Sequence, residues 1–120
     1  QFIIPLGATI NMNGTALYQG VAAIFLAQVY GIEIGSGGLI LIVLTAVGAS
    51  IGSPATPGVG IVILSSILVS VGVPPSGVAL IMGVDRILDM SRTALNVSGD
   101  LVACVLMDKW LQRQESAKPA

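Results

Sequence analysis

Asn11-Met12-Asn13-Gly14-Thr15 sits in the middle of an apolar run that extends from Phe2 to about Tyr30. At ~1.5 Å per residue such a run is long enough to span a hydrocarbon core of ~30 Å. Its centre, however, is polar and flexible, and an unsatisfied backbone group in lipid costs several kcal/mol. The two properties reconcile if residues 2–30 form a transmembrane helix that breaks beside protein or a polar cavity. An ordinary loop between two short helices would have the same composition at 11–14. The long apolar flanks favour the broken span.

Working outward, Gly31 to Gly38 holds Glu33 and four glycines, a loop composition. Leu39 to Ala49 is apolar but only about half a span. Ser50-Ile51-Gly52-Ser53-Pro54-Ala55-Thr56-Pro57-Gly58 then stops any helix, because proline lacks the N–H and clashes with the preceding turn. Val59 to Val73 is a second short apolar arm, closed by Pro74-Pro75. Two short arms around a Gly/Pro tip predict a re-entrant hairpin over about 39–73. A plain turn between two thin spans is the alternative. The last span runs from about 78 to 107 and carries Asp85, Arg86, Asp89, Arg92, Asn96 and Asp100.

Of 120 residues, 54% are hydrophobic and 9% charged, against about 25% charged in a soluble domain. Such a chain cannot cover a water-facing surface, which excludes a soluble globular enzyme. Five Lys+Arg, a formal net charge of -1 and 4% aromatics leave neither a basic patch nor a stacking platform for nucleic acid. One Cys and no His argue against an internal disulfide and a transition-metal site. Before Asp85 the only charged residue is Glu33. Lys109, Arg113 and Lys118 follow the last span and place the C-terminal tail, 111–120, in the cytoplasm. The chain opens at Gln1 without signal-peptide features. It reads as the C-terminal piece of a larger, multi-pass integral membrane protein. The fold class expected is therefore all-α.

On a helical wheel at about 100° per residue, Asp85, Asp89, Arg92, Asn96 and Asp100 fall within roughly 80° of arc. A charge at the membrane centre costs about 2.5 to 3.5 kcal/mol on insertion scales, so it needs a purpose or a partner. Asp89 and Arg92 alone, three apart, would suffice as helix glue. Five aligned groups point to a path or a site. Arg92 offers a planar fork for a carboxylate, Asp89 suits an ammonium, and Asn96 can donate and accept. Asp100 beside free backbone carbonyls makes a hard-oxygen site for a small cation. Cys104 and Met107 read as plain packing residues.

Three stretches now carry a resemblance. Ala8-Thr9-Ile10-Asn11-Met12-Asn13-Gly14-Thr15-Ala16, the Ser50-Ile51-Gly52 tip with Pro57-Gly58, and Asp89-Met90-Ser91-Arg92-Thr93-Ala94-Leu95-Asn96-Val97-Ser98-Gly99-Asp100 closely resemble the glutamate transporter family of dicarboxylate/amino acid:cation symporters. The similarity runs in order from about Pro5 to Trp110, and the motif Asp-x-x-Arg-Thr-x-x-Asn-Val-x-Gly-Asp is specific. The resemblance implies that 1–110 is the C-terminal part of a transport domain that moves by an elevator mechanism in a homotrimer. The remaining transporter helices would lie outside this chain. The setting implied is a plasma or bacterial inner membrane.

Carried over by position, the resemblance implies a substrate site of Thr15, Thr56, Gly60, Asp89, Arg92, Thr93 and Asn96. Asp89 would take the substrate amino group and Arg92 its side-chain carboxylate, with Thr15 assisting. Thr93 and Asn96 would meet the amino and main-chain carboxylate end. Thr56 and Gly60 would close over the ligand. One sodium would be held by Asp100, Asn96 and the carbonyls of Gly7 and Asn11. A second would lie among carbonyls of Thr9, Met12, Ser50, Ile51 and Ser53. A third would use Asn11 and Asn13. Sodium-coupled members usually carry Asp at position 13, so Asn13 implies a weaker third site. The tip also has an additional proline, Pro54, which would stiffen a lid.

The function expected is sodium-coupled symport of glutamate or aspartate, with no organic cofactor. A C4-dicarboxylate symporter, sodium- or proton-coupled, is the alternative, but a substrate without an ammonium would leave Asp89 unpaired. A pore-lining membrane subunit is the reading from another class; a broken helix with a Gly/Pro hairpin favours a gated site over an open pore. No nucleophile–base pair or metal cluster suggests an enzyme.

Overall fold

The computed structural model describes residues 3–53 and 56–116. Among them every regular element is helical: α1 (Ile3–Ile10), α2 (Asn13–Val29), α3 (Ser36–Ser50), α4 (Val59–Ser70), a 3₁₀ turn (Pro75–Gly77), α5 (Val78–Met82) and α6 (Asp85–Ser116). The expected features at Pro54 and Lys118 fall outside the described residues.

The break in the first stretch is narrower than its composition suggests. Only Asn11 and Met12 leave the helix. The Met12 carbonyl already accepts from the Thr15 and Ala16 N–H groups at 3.0 and 3.1 Å, so Asn13, Gly14 and Thr15 form the first turn of α2. Gly14 is required there by proximity, not flexibility. A Cβ on it would lie 2.9 Å from the Leu95 Cβ and 3.0 Å from the Asn96 Oδ1 of α6.

α3 and α4 are joined by residues 51–58, where Gly52 and Gly58 take φ of 79° and 87°, values an L side chain rarely adopts. Gly58 starts α4 directly. Just past the end of α4, Gly72 takes a φ of 77°, with the Val73 N–H returning to the Leu68 carbonyl at 2.9 Å. Val73 is buried, and Pro74-Pro75 then turns the chain into the 3₁₀ turn.

The last stretch departs from the expected 78–107. It pauses at Gly83-Val84 between α5 and α6, then continues to Ser116. No Gly or Pro interrupts 100–116, Gln112 bonds Asp108 at 3.0 Å, and the Ser116 hydroxyl donates to the Gln112 carbonyl. Good helix formers with such i,i+4 contacts carry the helix past the apolar part. Residues 111–116 of the expected tail are thus helical.

The core joins Ala23 and Leu26 of α2, Ile42 and Ala46 of α3, and Leu64, Ile67 and Leu68 of α4, capped by Val73, Val78 and Ile81. α6 buries no residue and lies against α1 and α2 along one side. Large apolar side chains such as Leu44, Val62, Ile87 and Met90 remain more than half exposed. Among the described residues no helix is long and apolar enough to cross a membrane: the first stretch is divided at Asn11-Met12, and α6 is long but highly charged.

Candidate functional site

The break, the hairpin tip and the middle of α6 enclose a cavity of about 220 Å³. That is below the ~300–1,000 Å³ of sites for drug-sized molecules, so it suits a small solute. α1 and the break contribute Gly7, Ala8, Asn11 and Met12, α2 contributes Thr15, and the tip contributes Ser53, Thr56 and Pro57. α6 supplies Asp89, Arg92, Thr93, Asn96, Val97 and Asp100. Four of the five aligned residues of the last helix therefore face one space. Asp85, at the start of α6, is not among the lining residues.

The cavity has two chemically distinct ends. At one, Arg92 and Asp89 form an ion pair, their side chains 13% and 19% exposed. The guanidinium also lies 5.8 Å from the centre of the Tyr18 ring. The Thr93 hydroxyl is tied to the Asp89 carbonyl at 2.9 Å. At the other end, the Asn11 amide donates to Asp100 Oδ1 at 2.9 Å, and Asp100 occupies the space a Cβ on Gly7 would need. Asn96 links the two ends. Its Oδ1 accepts the Gly14 N–H at 2.8 Å, and its Nδ2 reaches Thr15 Oγ1 at 3.3 Å and the Met12 sulfur at 3.1 Å. At this end the Asn11 amide presents its nitrogen to the carboxylate, and the Gly7 carbonyl accepts the Asn11 N–H at 2.9 Å. Among the described residues no three His, Cys, Asp or Glu cluster as a metal site.

Six of the seven substrate residues inferred from sequence line this cavity. Gly60 does not. It lies behind Arg92, where a Cβ would overlap the guanidinium. Of the cation residues, Gly7, Asn11, Met12, Ser53, Asn96 and Asp100 line the cavity, whereas Thr9, Asn13, Ser50 and Ile51 do not. The Thr9 carbonyl accepts the Gly52 N–H at 2.8 Å, fastening the tip to the end of α1. The Met12 carbonyl serves the first turn of α2. Ser50 is buried and its hydroxyl returns to the Val47 carbonyl at 2.8 Å. Asn13 is exposed, its amide beside that of Asn11 against the bare Cα of Gly99.

Residues 1–110 match the family model of the sodium:dicarboxylate symporter family. The chain belongs to that family. It is 49% identical over 110 residues to a proton/sodium-glutamate symport protein of Bacillus subtilis (strain 168), covering 92% of this chain and 26% of that protein. It is 47% identical over 118 residues to the proton/glutamate-aspartate symporter of Escherichia coli (strain K12), covering 98% and 27%. Excitatory amino acid transporter 5 of Homo sapiens is 50% identical over 107 residues, covering 89% and 19%. The chain thus spans about a quarter of the length of these bacterial symporters. Family membership agrees with the resemblance drawn from the three motifs, and all three relatives are named for transport.

Tyr18 and Gln19, within an apolar stretch of α2, are not on the cavity wall, and neither is singled out by the sequence. A lone amide between Ala16 and Ala27 is the one clue, since a buried amide must find a partner.

Proposed function

We propose that this chain forms part of a sodium-coupled symporter of acidic amino acids. The observation that carries the reading is the Arg92–Asp89 pair on the wall of a small cavity that Ser53, Thr56 and Pro57 of the tip also line. An arginine fork beside a carboxylate matches a solute that has both a side-chain carboxylate and an ammonium. The pair satisfies itself when the site holds no ligand, so neither charge is stranded. The relatives' names, glutamate and glutamate-aspartate, support the same substrate class. The Asp100 end supplies the cation site, and the relatives named for both proton and sodium keep proton coupling as the alternative. A C4-dicarboxylate would engage Arg92 but leave Asp89 without its ammonium.

In this reading α1 and α2 are the two halves of a broken transmembrane helix, α3 and α4 a re-entrant hairpin, and α6 a polar-faced membrane helix ending in the cytoplasm. Residues 1–110 belong to a transport domain whose other helices cover the exposed apolar faces, and the whole works as a homotrimer by an elevator motion. Family membership supports this arrangement. The solute crosses chemically unchanged. Binding of aspartate, glutamate, succinate and serine to the full-length protein, with and without sodium, tests it. Sodium-dependent binding of the two acidic amino acids, with succinate and serine far weaker, is expected. Equal binding of succinate and aspartate would overturn the substrate assignment.

Asn13 gives a second test. An amide oxygen is a weaker ligand for a hard cation than a carboxylate. Asn13→Asp should steepen the sodium dependence of uptake and raise the sodium:substrate ratio measured by reversal potential in vesicles. An unchanged ratio and sodium dependence would leave Asn13 as a residue that serves only the helix break.

A further inference from the structure

We propose that Gln19 is a positioning residue that, through Gly60, fixes where the Arg92 guanidinium stands and so sets the preference for an acidic side chain. The inference rests on the reading of Arg92 as the partner of the substrate's side-chain carboxylate. Gln19 is fully buried in α2, and its Nε2 donates to the Gly60 carbonyl at 2.8 Å across 41 residues of sequence. The contact sets the first turn of α4 against α2. Gly60 is also buried, and the missing Cβ leaves a notch. Arg92 fills it: an ideal Cβ on Gly60 would overlap the guanidinium, lie 3.3 Å from Arg92 Cζ and 3.6 Å from Tyr18 Cε1. Arg92 is therefore held on three sides, by the Asp89 carboxylate, the Tyr18 ring and the Gly60 backbone.

The construction is specific to these groups. A buried amide is costly unless bonded, and among the described residues Gln19 Oε1 has no partner, so the bond to Gly60 is the one this side chain makes there. Leu64, Ile67 and Leu68 anchor the rest of α4 in the core, so a shift at Gly60 cannot be absorbed by moving the whole helix. A bidentate contact to a carboxylate depends on the orientation of the planar fork as well as its charge. Displacing the fork should therefore penalise acidic substrates while sparing neutral ones of the same shape.

The test compares aspartate with asparagine, its neutral isostere, in the full-length protein. Gly60→Ala fills the notch, and Gln19→Leu removes the tether while conserving an apolar fill. Each should lower the aspartate-over-asparagine preference about tenfold or more, corresponding to ~1.4 kcal/mol. In an Arg92→Lys background the notch is empty, because lysine has no fork to place there. Gly60→Ala should then change the preference little, making the two substitutions non-additive. Equal weakening of both ligands, or full additivity with Arg92→Lys, would show that Gln19 and Gly60 serve only the fold and would overturn the proposal. If Gln19→Leu does not accumulate, Gly60→Ala and its double variant decide alone. A wild-type protein with no preference for aspartate would instead refute the substrate assignment itself.

Discussion

Arg92→Cys should weaken aspartate binding by about 2 to 5 kcal/mol, roughly 30- to 4,000-fold, while affecting serine far less. The magnitude follows from the position of the guanidinium. Its side chain is largely out of solvent and is paired with Asp89 from one turn away. A ligand carboxylate that replaced Asp89 at the fork would gain two charge-assisted hydrogen bonds in a poorly hydrated site. With cysteine at 92 the same carboxylate would be buried with no cation, and much of the loss comes from that stranded charge. Asp89 would also lose its partner in the unliganded protein, which should favour ligands that bring an ammonium alone. A selectivity switch toward neutral amino acids is thus expected, measured by competition against labelled substrate in vesicles. Equal weakening of aspartate and serine would remove Arg92 from side-chain recognition and leave it as a fold-stabilising ion pair.

The main architecture was legible because each feature violates an expectation for its surroundings. A polar pentapeptide inside an apolar run, and a Gly/Pro tip between two half-length arms, both appear as helix interruptions, at 11–12 and at 51–53 with 56–58. The periodic polar face of α6 was readable because helical spacing alone brings Asp89, Arg92, Asn96 and Asp100 to one side. Periodicity says which residues share a face, but not what the rest of the chain sets opposite them. That is why the placement of Gly60 against Arg92, outside the cavity wall, had no signal in the sequence. It is also why Gln19 was invisible: its role depends on a carbonyl 41 residues away. α6 outlasts its apolar stretch for another reason: the end of hydrophobicity does not end a helix, and Gln, Arg and Glu at 112–115 are good helix formers. Asn13 and Asn11 are adjacent against Gly99, but the side chain of Asn13 lies outside the cavity wall.

Asp100→Asn is expected to reduce sodium affinity by about 2 to 5 kcal/mol and, with it, sodium-dependent substrate binding. Asparagine is nearly isosteric with the residue it replaces. It still fits the space left by Gly7, and its carbonyl oxygen can still accept from the Asn11 amide, as Asp100 Oδ1 does at 2.9 Å. The fold around the break should therefore survive, and the loss is chiefly one negative charge. Asp100 is the acidic side chain at this end of the cavity, the other acid of the wall being Asp89, which Arg92 neutralises. The other polar groups nearby, the Asn11 and Asn96 amides and the Gly7 carbonyl, carry no charge, and a neutral oxygen holds a hard cation more weakly than a carboxylate does. If cation and substrate stabilise the same closed site, as proposed above, aspartate binding at low sodium should fall, whereas saturating sodium should restore much of it. Titrating sodium at fixed aspartate separates this from a structural role. If Asp100 served only to hold Asn11 at the helix break, the asparagine variant would keep that hydrogen bond and show the wild-type sodium dependence, and the cation site would have to be sought elsewhere in the protein.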